Sequence, residues 1–307
     1  METVSSSLQG TRFELHLGER GYPNVLAAIP DPPACLYGIG NPAALVAGVA
    51  IIGARKATPY GLACTERFAA HVARRGLPII AGGAIGCDLA AHRTAVDLEA
   101  RTIVVFGSSP DILYPKRGRD VFQRAIDQGG AVVSESPWGT PPLPGLFVQR
   151  NRIIAGLSRL IVIAEAGLPS GTFSTADAAL AQGKEVAVVP GAITSPTSAG
   201  ANRLLAQGAL PLIDEDALDD ALAMAFSDVP VTFACDGTGQ LGLDFSGVES
   251  DELLRVLAAQ PAYLDELASS MHMQPSKAAA RLSRLELAGS VERGRDGRYH
   301  VLVPVRE

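Results

Sequence analysis

A 307-residue chain that is 47% hydrophobic and 5% aromatic has enough aliphatic mass for one large core and a small second domain. A formal net charge of −6 excludes a protein coated in positive charge, and no run is long and apolar enough to span a bilayer. The four cysteines, Cys35, Cys64, Cys87 and Cys235, form no CxxC pair and stand near no histidine at metal spacing, which argues against zinc and for a reduced, cytoplasmic protein without a signal peptide.

Residues 1–44 contain Pro23, Pro30, Pro32, Pro33 and Pro42, which break any long element and predict an irregular lead-in with a short edge strand at Leu36–Gly40. Regular alternation begins at Val49–Ile52, a β-branched run of the kind buried on both faces of a parallel sheet. It stops at Gly53, where a backbone or a phosphate can come close, and at Arg55, a permanent cation. An ordinary core strand followed by a surface arginine fits the same residues. A helix is predicted over Tyr60–Arg75, a strand at Leu77–Ala81, a turn at Gly82, Gly83 and Gly86, and a helix through Asp88–Glu99. A strand at Thr102–Phe106, a helix at Gly118–Gln128 and a strand at Ala131–Ser134 follow. The proline-rich PWGTPPLPG then leads to a helix near Arg150–Leu157, a strand at Leu160–Ala164, a helix at Ser174–Gln182 and a strand at Glu185–Val189. A helix at Ala201–Gln207, a strand at Leu210–Ile213 and a helix at Asp216–Ala225 close the unit. This alternation predicts an α/β fold with a doubly wound, mostly parallel sheet over 45–226. Residues 227–250 are acidic and glycine-rich and predict a linker. In 251–307, a helix at Leu253–Leu257, a helix-turn-helix around His272–Gln274 and a hairpin turning at Asp296-Gly297 predict a small winged helix.

The charge is unevenly spread. Fourteen of the twenty-six lysines and arginines lie between Arg55 and Arg159, which points to a local anionic ligand. There is no GxxxxGK[ST] loop and no GxGxxG after the first regular strand, so neither nucleotide hydrolysis nor dinucleotide binding has a motif behind it. The turns at Gly82–Gly86 and Ser170–Thr172 offer backbone donors to a phosphate, although any tight strand–helix joint uses such residues. Arg150 and Arg152 flank Asn151 at an expected helix start, where cations oppose the helix dipole. They hold a phosphate, or they are solvated or paired with acidic neighbours. Phe147 is a stacking surface or part of the core. Asp88 and His92 read as helix-closing residues rather than an acid–base pair, and no serine sits in GxSxG.

With these motifs in place, the chain resembles the DNA-processing protein A (DprA/Smf) family. The similar segments are VAIIGARKATPYG at Val49–Gly61, AGGAIGCDLAAH at Ala81–His92, LYPK at Leu113–Lys116 and RNRIIAGLS at Arg150–Ser158. They continue with EAGLPSGTFSTADAALAQGKEVAVVPG at Glu165–Gly191 and GANRLLAQGALPL at Gly200–Leu212. The resemblance implies an extended Rossmann-like domain that binds single-stranded DNA, no enzymatic activity and no cofactor. It also implies a homodimer that loads the RecA recombinase in natural transformation. By position it implies DNA-backbone contact at Arg55 and Lys116. The expected DNA site is then Gly53, Arg55, Gly82, Gly83, Lys116, Arg150, Asn151, Arg152, Ser170, Gly171 and Thr172. The sequence departs from the family pattern at Ile85, where an arginine is usual. The short lead-in leaves no place for the helical N-terminal domain of many members. Two other readings stand beside this one. One is a nucleotide-sensing or nucleotide-hydrolysing enzyme like the lysine-decarboxylase-like phosphoribohydrolases, against which Pro169–Thr172 lacks the paired glycines of PGGxGT. The other is a regulator that recognises DNA through the winged helix alone.

Overall fold

The computed structural model describes residues 7–227, 257, 262–271, 273–287, 291–294 and 297–301. The chain forms two compact units, Met1–Phe233 and Ala234–Glu307. The first unit opens with β1 (Arg12–His16), a short helix α1 (Asn24–Ala27) and β2 (Cys35–Gly40), then runs through β3 (Gly48–Ile52), α2 (Pro59–Arg74), β4 (Ile79–Ala81) and α3 (Cys87–Asp97). Next come β5 (Thr102–Val105), α4 (Arg119–Asp127), β6 (Ala131–Ser134), α5 (Pro144–Gln149), α6 (Asn151–Leu157) and β7 (Ser158–Ile163). The unit ends with α7 (Thr172–Ala181), β8 (Glu185–Val188), α8 (Ala199–Ala206), β9 (Leu210–Pro211) and α9 (Glu215–Ala225).

Nine strands make one sheet in the order β1-β2-β6-β5-β4-β3-β7-β8-β9. From β6 to β9 every neighbouring pair is parallel, the doubly wound arrangement that the alternation predicts. All five residues of β3 are buried, as an uninterrupted β-branched run requires at the centre of a sheet covered on both sides. Ala50 and Ile52 pack on one face with residues of α1, α6, α7 and α8. Val49 and Ile51 pack on the other with residues of α2, α3 and α9.

The lead-in is not irregular. Its prolines lie outside the strands: β1 precedes them and β2 fits between Pro33 and Pro42, and the two antiparallel strands extend the sheet beyond β6. The segment expected as an edge strand at Leu36–Gly40 is therefore second from the edge, with β1 outside it.

In the second unit, helices Leu264–Ser270 and Pro275–Leu287 and the antiparallel strands Val291–Arg293 and Tyr299–Val301 surround a core of Leu257, Ala262, Leu267, Leu282 and Val291. Ala262 adds a bridge to Tyr299, completing the small sheet of a winged helix. The linker expected at 227–250 lies outside the described residues from 228 onward. So do Leu253, Leu254 and Val256 of the expected helix, His272 of the expected turn, and Arg295 and Asp296 of the expected hairpin tip. Among the described residues no helix is long and apolar enough to cross a membrane.

Candidate nucleic-acid interface

Strand order reverses between β3 and β7: the chain leaves β3 toward β4 on one side and continues from β7 toward β8 on the other. Crossovers departing in opposite directions open a crevice at the carboxyl ends of the two strands. A cavity of about 770 Å³ occupies that position, lined among others by Gly53–Lys56 after β3, Gly167–Thr172 after β7, and Phe147, Arg150 and Asn151. Gly53 is dictated by packing, because a side chain there would meet Cys87 Sγ at 2.7 Å and the Glu165 carbonyl at 3.0 Å.

Arg55 is exposed and, among the described residues, has no carboxylate within ion-pair distance. Its guanidinium lies 5.8 Å from the centre of the half-buried Phe147 ring, which in turn sits 5.5 Å from the ring of Tyr114. Tyr114 is 45% exposed and lines the cleft, and so does the exposed Lys56. The sequence reading missed both. LYPK placed a tyrosine two residues before Lys116, and that signal passed unused. Lys116 is exposed in the single turn Lys116–Gly118, just beyond Tyr114 and outside the cleft lining.

On the opposite wall, α7 begins at Thr172, so its N-terminal end and the partial positive charge of its backbone face the cleft. Ser170 Oγ donates to Thr172 Oγ1 at 2.9 Å and accepts the Thr172 N–H at 3.2 Å. Nothing stands within 4 Å of where a Gly171 side chain would be. Asn151 lines the cleft and donates from Nδ2 to Ser174 Oγ at 2.7 Å.

Four of the expected ligand contacts prove to be framework. Arg150 is only 4% exposed, and its Nη1 donates to the Gly82 carbonyl at 2.7 Å and to the Val105 carbonyl. Burial pulls its guanidinium down to about 10, against the attraction of Asp88 and with some repulsion from Arg55. It stays charged at neutral pH, so it places a positive charge beneath the cleft floor without presenting it to solvent. Arg152 is committed elsewhere, bidentate to Glu135 at 2.6 and 2.7 Å and bonded to Asp31 at 2.8 Å. The ion-paired reading therefore holds for Arg152, and its partners lie far away in sequence. Gly82 and Gly83 are buried and outside the lining. The Gly82 N–H is used by Asp88 Oδ2 at 3.0 Å, and Gly83 packs against Val104 and Phe122 at φ +68°.

Asp88 and His92 do not form an acid–base pair. Burial raises the Asp88 carboxyl above its ordinary range, opposed by Arg150 and by N–H groups of the glycine turn and of Gly53. His92 is fully buried, with Nδ1 2.7 Å from Thr102 Oγ1, and burial lowers its imidazole to about 3. Ile85 is 44% exposed and outside the cleft lining.

These features define an extended Rossmann-like protein with an anion-attracting, aromatic-walled cleft at the topological switch point, joined in the same chain to a winged helix. The family described as DNA recombination-mediator protein A matches residues 14–223, and the DprA winged helix domain matches residues 247–297. A putative DNA processing protein DprA of Mycobacterium tuberculosis is 36% identical over 257 residues, covering 82% of this chain and 64% of its own length. Protein Smf of Escherichia coli is 33% identical over 273 residues, covering 87% and 72%. The crystal structure of DprA from Streptococcus pneumoniae has a TM-score of 0.63 at 33% identity over 68% of this chain and 73% of that one. A structure of DprA from Helicobacter pylori, described for its single-stranded DNA binding mode, has a TM-score of 0.63 at 31% identity, covering 71% and 98%. The chain belongs to the DprA/Smf family of DNA-processing proteins. It spans 64% of the length of the Mycobacterium relative.

Proposed function

We propose that this chain captures single-stranded DNA in the switch-point cleft and delivers it to a RecA-type recombinase, as a homodimer in the cytoplasm and without bond-breaking chemistry of its own. The observation that carries the DNA reading is Arg55, an exposed cation laid over Phe147 beside Tyr114. A guanidinium neutralises a phosphate while neighbouring rings stack on bases, which is how single strands are held without sequence readout. Lys56, Lys116, the N-terminal end of α7 and the hydroxyls of Ser170 and Thr172 add donors around that centre. Bases in a duplex are already stacked and leave the rings without partners, so single strands are favoured. The Helicobacter pylori relative, described for its single-stranded DNA binding, supports the same ligand here. RecA loading, natural transformation and the homodimer rest on family membership. The absence of catalysis is inferred from the acid–base candidates: Asp88 is engaged by backbone donors and His92 by Thr102.

The test is fluorescence anisotropy of the full chain with a labelled single strand, a labelled hairpin duplex and free nucleotides as competitors. The single strand should bind at least ten times more tightly than the duplex. Equal duplex affinity, or displacement by equimolar mononucleotide, would refute the reading.

A further inference from the structure

At the far edge of the sheet, the β1–β2 pair carries a cluster that DNA binding does not use. Glu14 and His16 are two residues apart on β1 and so share a face, while Phe13 and Leu15 pack toward the core on the other. The antiparallel register sets His16 opposite Cys35 and Glu14 opposite Tyr37. A carboxylate oxygen, an imidazole nitrogen and a thiol sulfur thereby come within 4.8 Å of one another. Nineteen positions separate His16 from Cys35, so the spacing rules that argued against zinc could not register this approach across strands.

We propose that Glu14, His16 and Cys35 form a binding site for a thiophilic divalent cation of the zinc type, with water completing the coordination. One sulfur, one nitrogen and one oxygen donor suit zinc, whereas calcium and magnesium require oxygen ligands. The outer shell is already built. Trp138 Nε1 donates to Glu14 Oε1 at 2.6 Å, fixing the carboxylate and leaving its second oxygen for a metal. The Trp138 ring rests edge-on against Tyr37 at 5.6 Å. Ligation is a proton exchange with no redox change: the cation forms a bond to sulfur, and the thiol proton leaves to solvent.

Cobalt(II) titration of the full, reduced chain tests the site, because cobalt takes zinc ligand sets and reports them by colour. A thiolate-to-cobalt charge-transfer band and four-coordinate visible bands should saturate at one equivalent and vanish when zinc is added. Cys35→Ser should abolish the charge-transfer band. His16→Ala, at an exposed position, should weaken cobalt binding at least tenfold. Trp138 is the chain's single tryptophan, so zinc should shift the emission of the parent chain and leave that of Cys35→Ser unchanged. A titration without a charge-transfer band, a band that survives Cys35→Ser, or binding unaltered by His16→Ala would overturn the proposal.

Discussion

Replacing Arg150 with alanine would leave the Gly82 and Val105 carbonyls without their donor and Asp88 without the buried cation that offsets its desolvation. Removing one member of such a buried charged arrangement costs about 3–5 kcal/mol. Arg150→Ala should therefore show as a large fall in melting temperature. Arg55→Ala, at an exposed position, should change stability by less than about 0.5 kcal/mol and act on DNA affinity instead. Thermal melts of the two variants side by side check the division, and an Arg150→Ala protein as stable as its parent would return that residue to the ligand. His92 supplies a pH test. Its folded value of about 3 lies below the unfolded value of about 6.5. The unfolded chain therefore takes up a proton below pH 6.5 that the folded chain refuses, and stability falls as the pH drops. The loss at pH 5 is about 2 kcal/mol from this residue. Denaturant titrations at pH 7 and pH 5 should show that increment in the parent and lose it in His92→Gln. An equal pH dependence in both would mean that the imidazole is not held neutral.

Among the elements, the turn between β4 and α3 holds the loop after β3 in place. Gly86 has φ +97°, and a side chain there would run into the backbone carbonyl of Ala54. Its neighbour Cys87 donates its N–H to that same carbonyl at 3.2 Å. Gly86→Ala should cost about 2–4 kcal/mol through the positive φ and the displaced backbone, and it should weaken DNA binding because Arg55 is the next residue of that loop. A stable variant with unaltered affinity would contradict this coupling, and calorimetry with anisotropy would show it. The same scale explains what the sequence made legible. The parallel strands were readable because strands buried on both faces are continuous apolar runs, as in Ala131–Ser134, whose observed and expected bounds agree. β1 was not readable: only Phe13 and Leu15 of its five residues turn inward, and its apolar alternation is too short to stand out between the loops. At the candidate site, the position of Arg55 at the carboxyl edge of the sheet was legible from its place after a central strand. The protein partners of Arg150 and Arg152 were not legible, because a helix start does not reveal which way each arginine turns. The acceptors that claim them, at Gly82, Val105, Asp31 and Glu135, become neighbours only in the folded sheet.

At the scale of the whole molecule, the first unit contains the entire cleft and every residue assigned to DNA. Residues 1–233 alone should therefore retain single-strand binding, and loss of all binding in that fragment would move the DNA site to the winged helix. The proposed self-association is checked by sedimentation, where a monomer at micromolar concentration would remove it. In the proposed complex a phosphate chain runs along the carboxyl edge of the sheet past Arg55 and Lys116. The most direct measurement is a salt titration of single-strand affinity for the full chain and for the Arg55→Ala, Lys116→Ala double variant. Each phosphate neutralised contributes about 0.7 to the slope of log affinity against log salt for single strands. The double variant should bind more weakly and show a slope shallower by about 0.7–1.4 with its melting temperature unchanged. An unaltered affinity and slope in a folded double variant would show that DNA does not follow this edge.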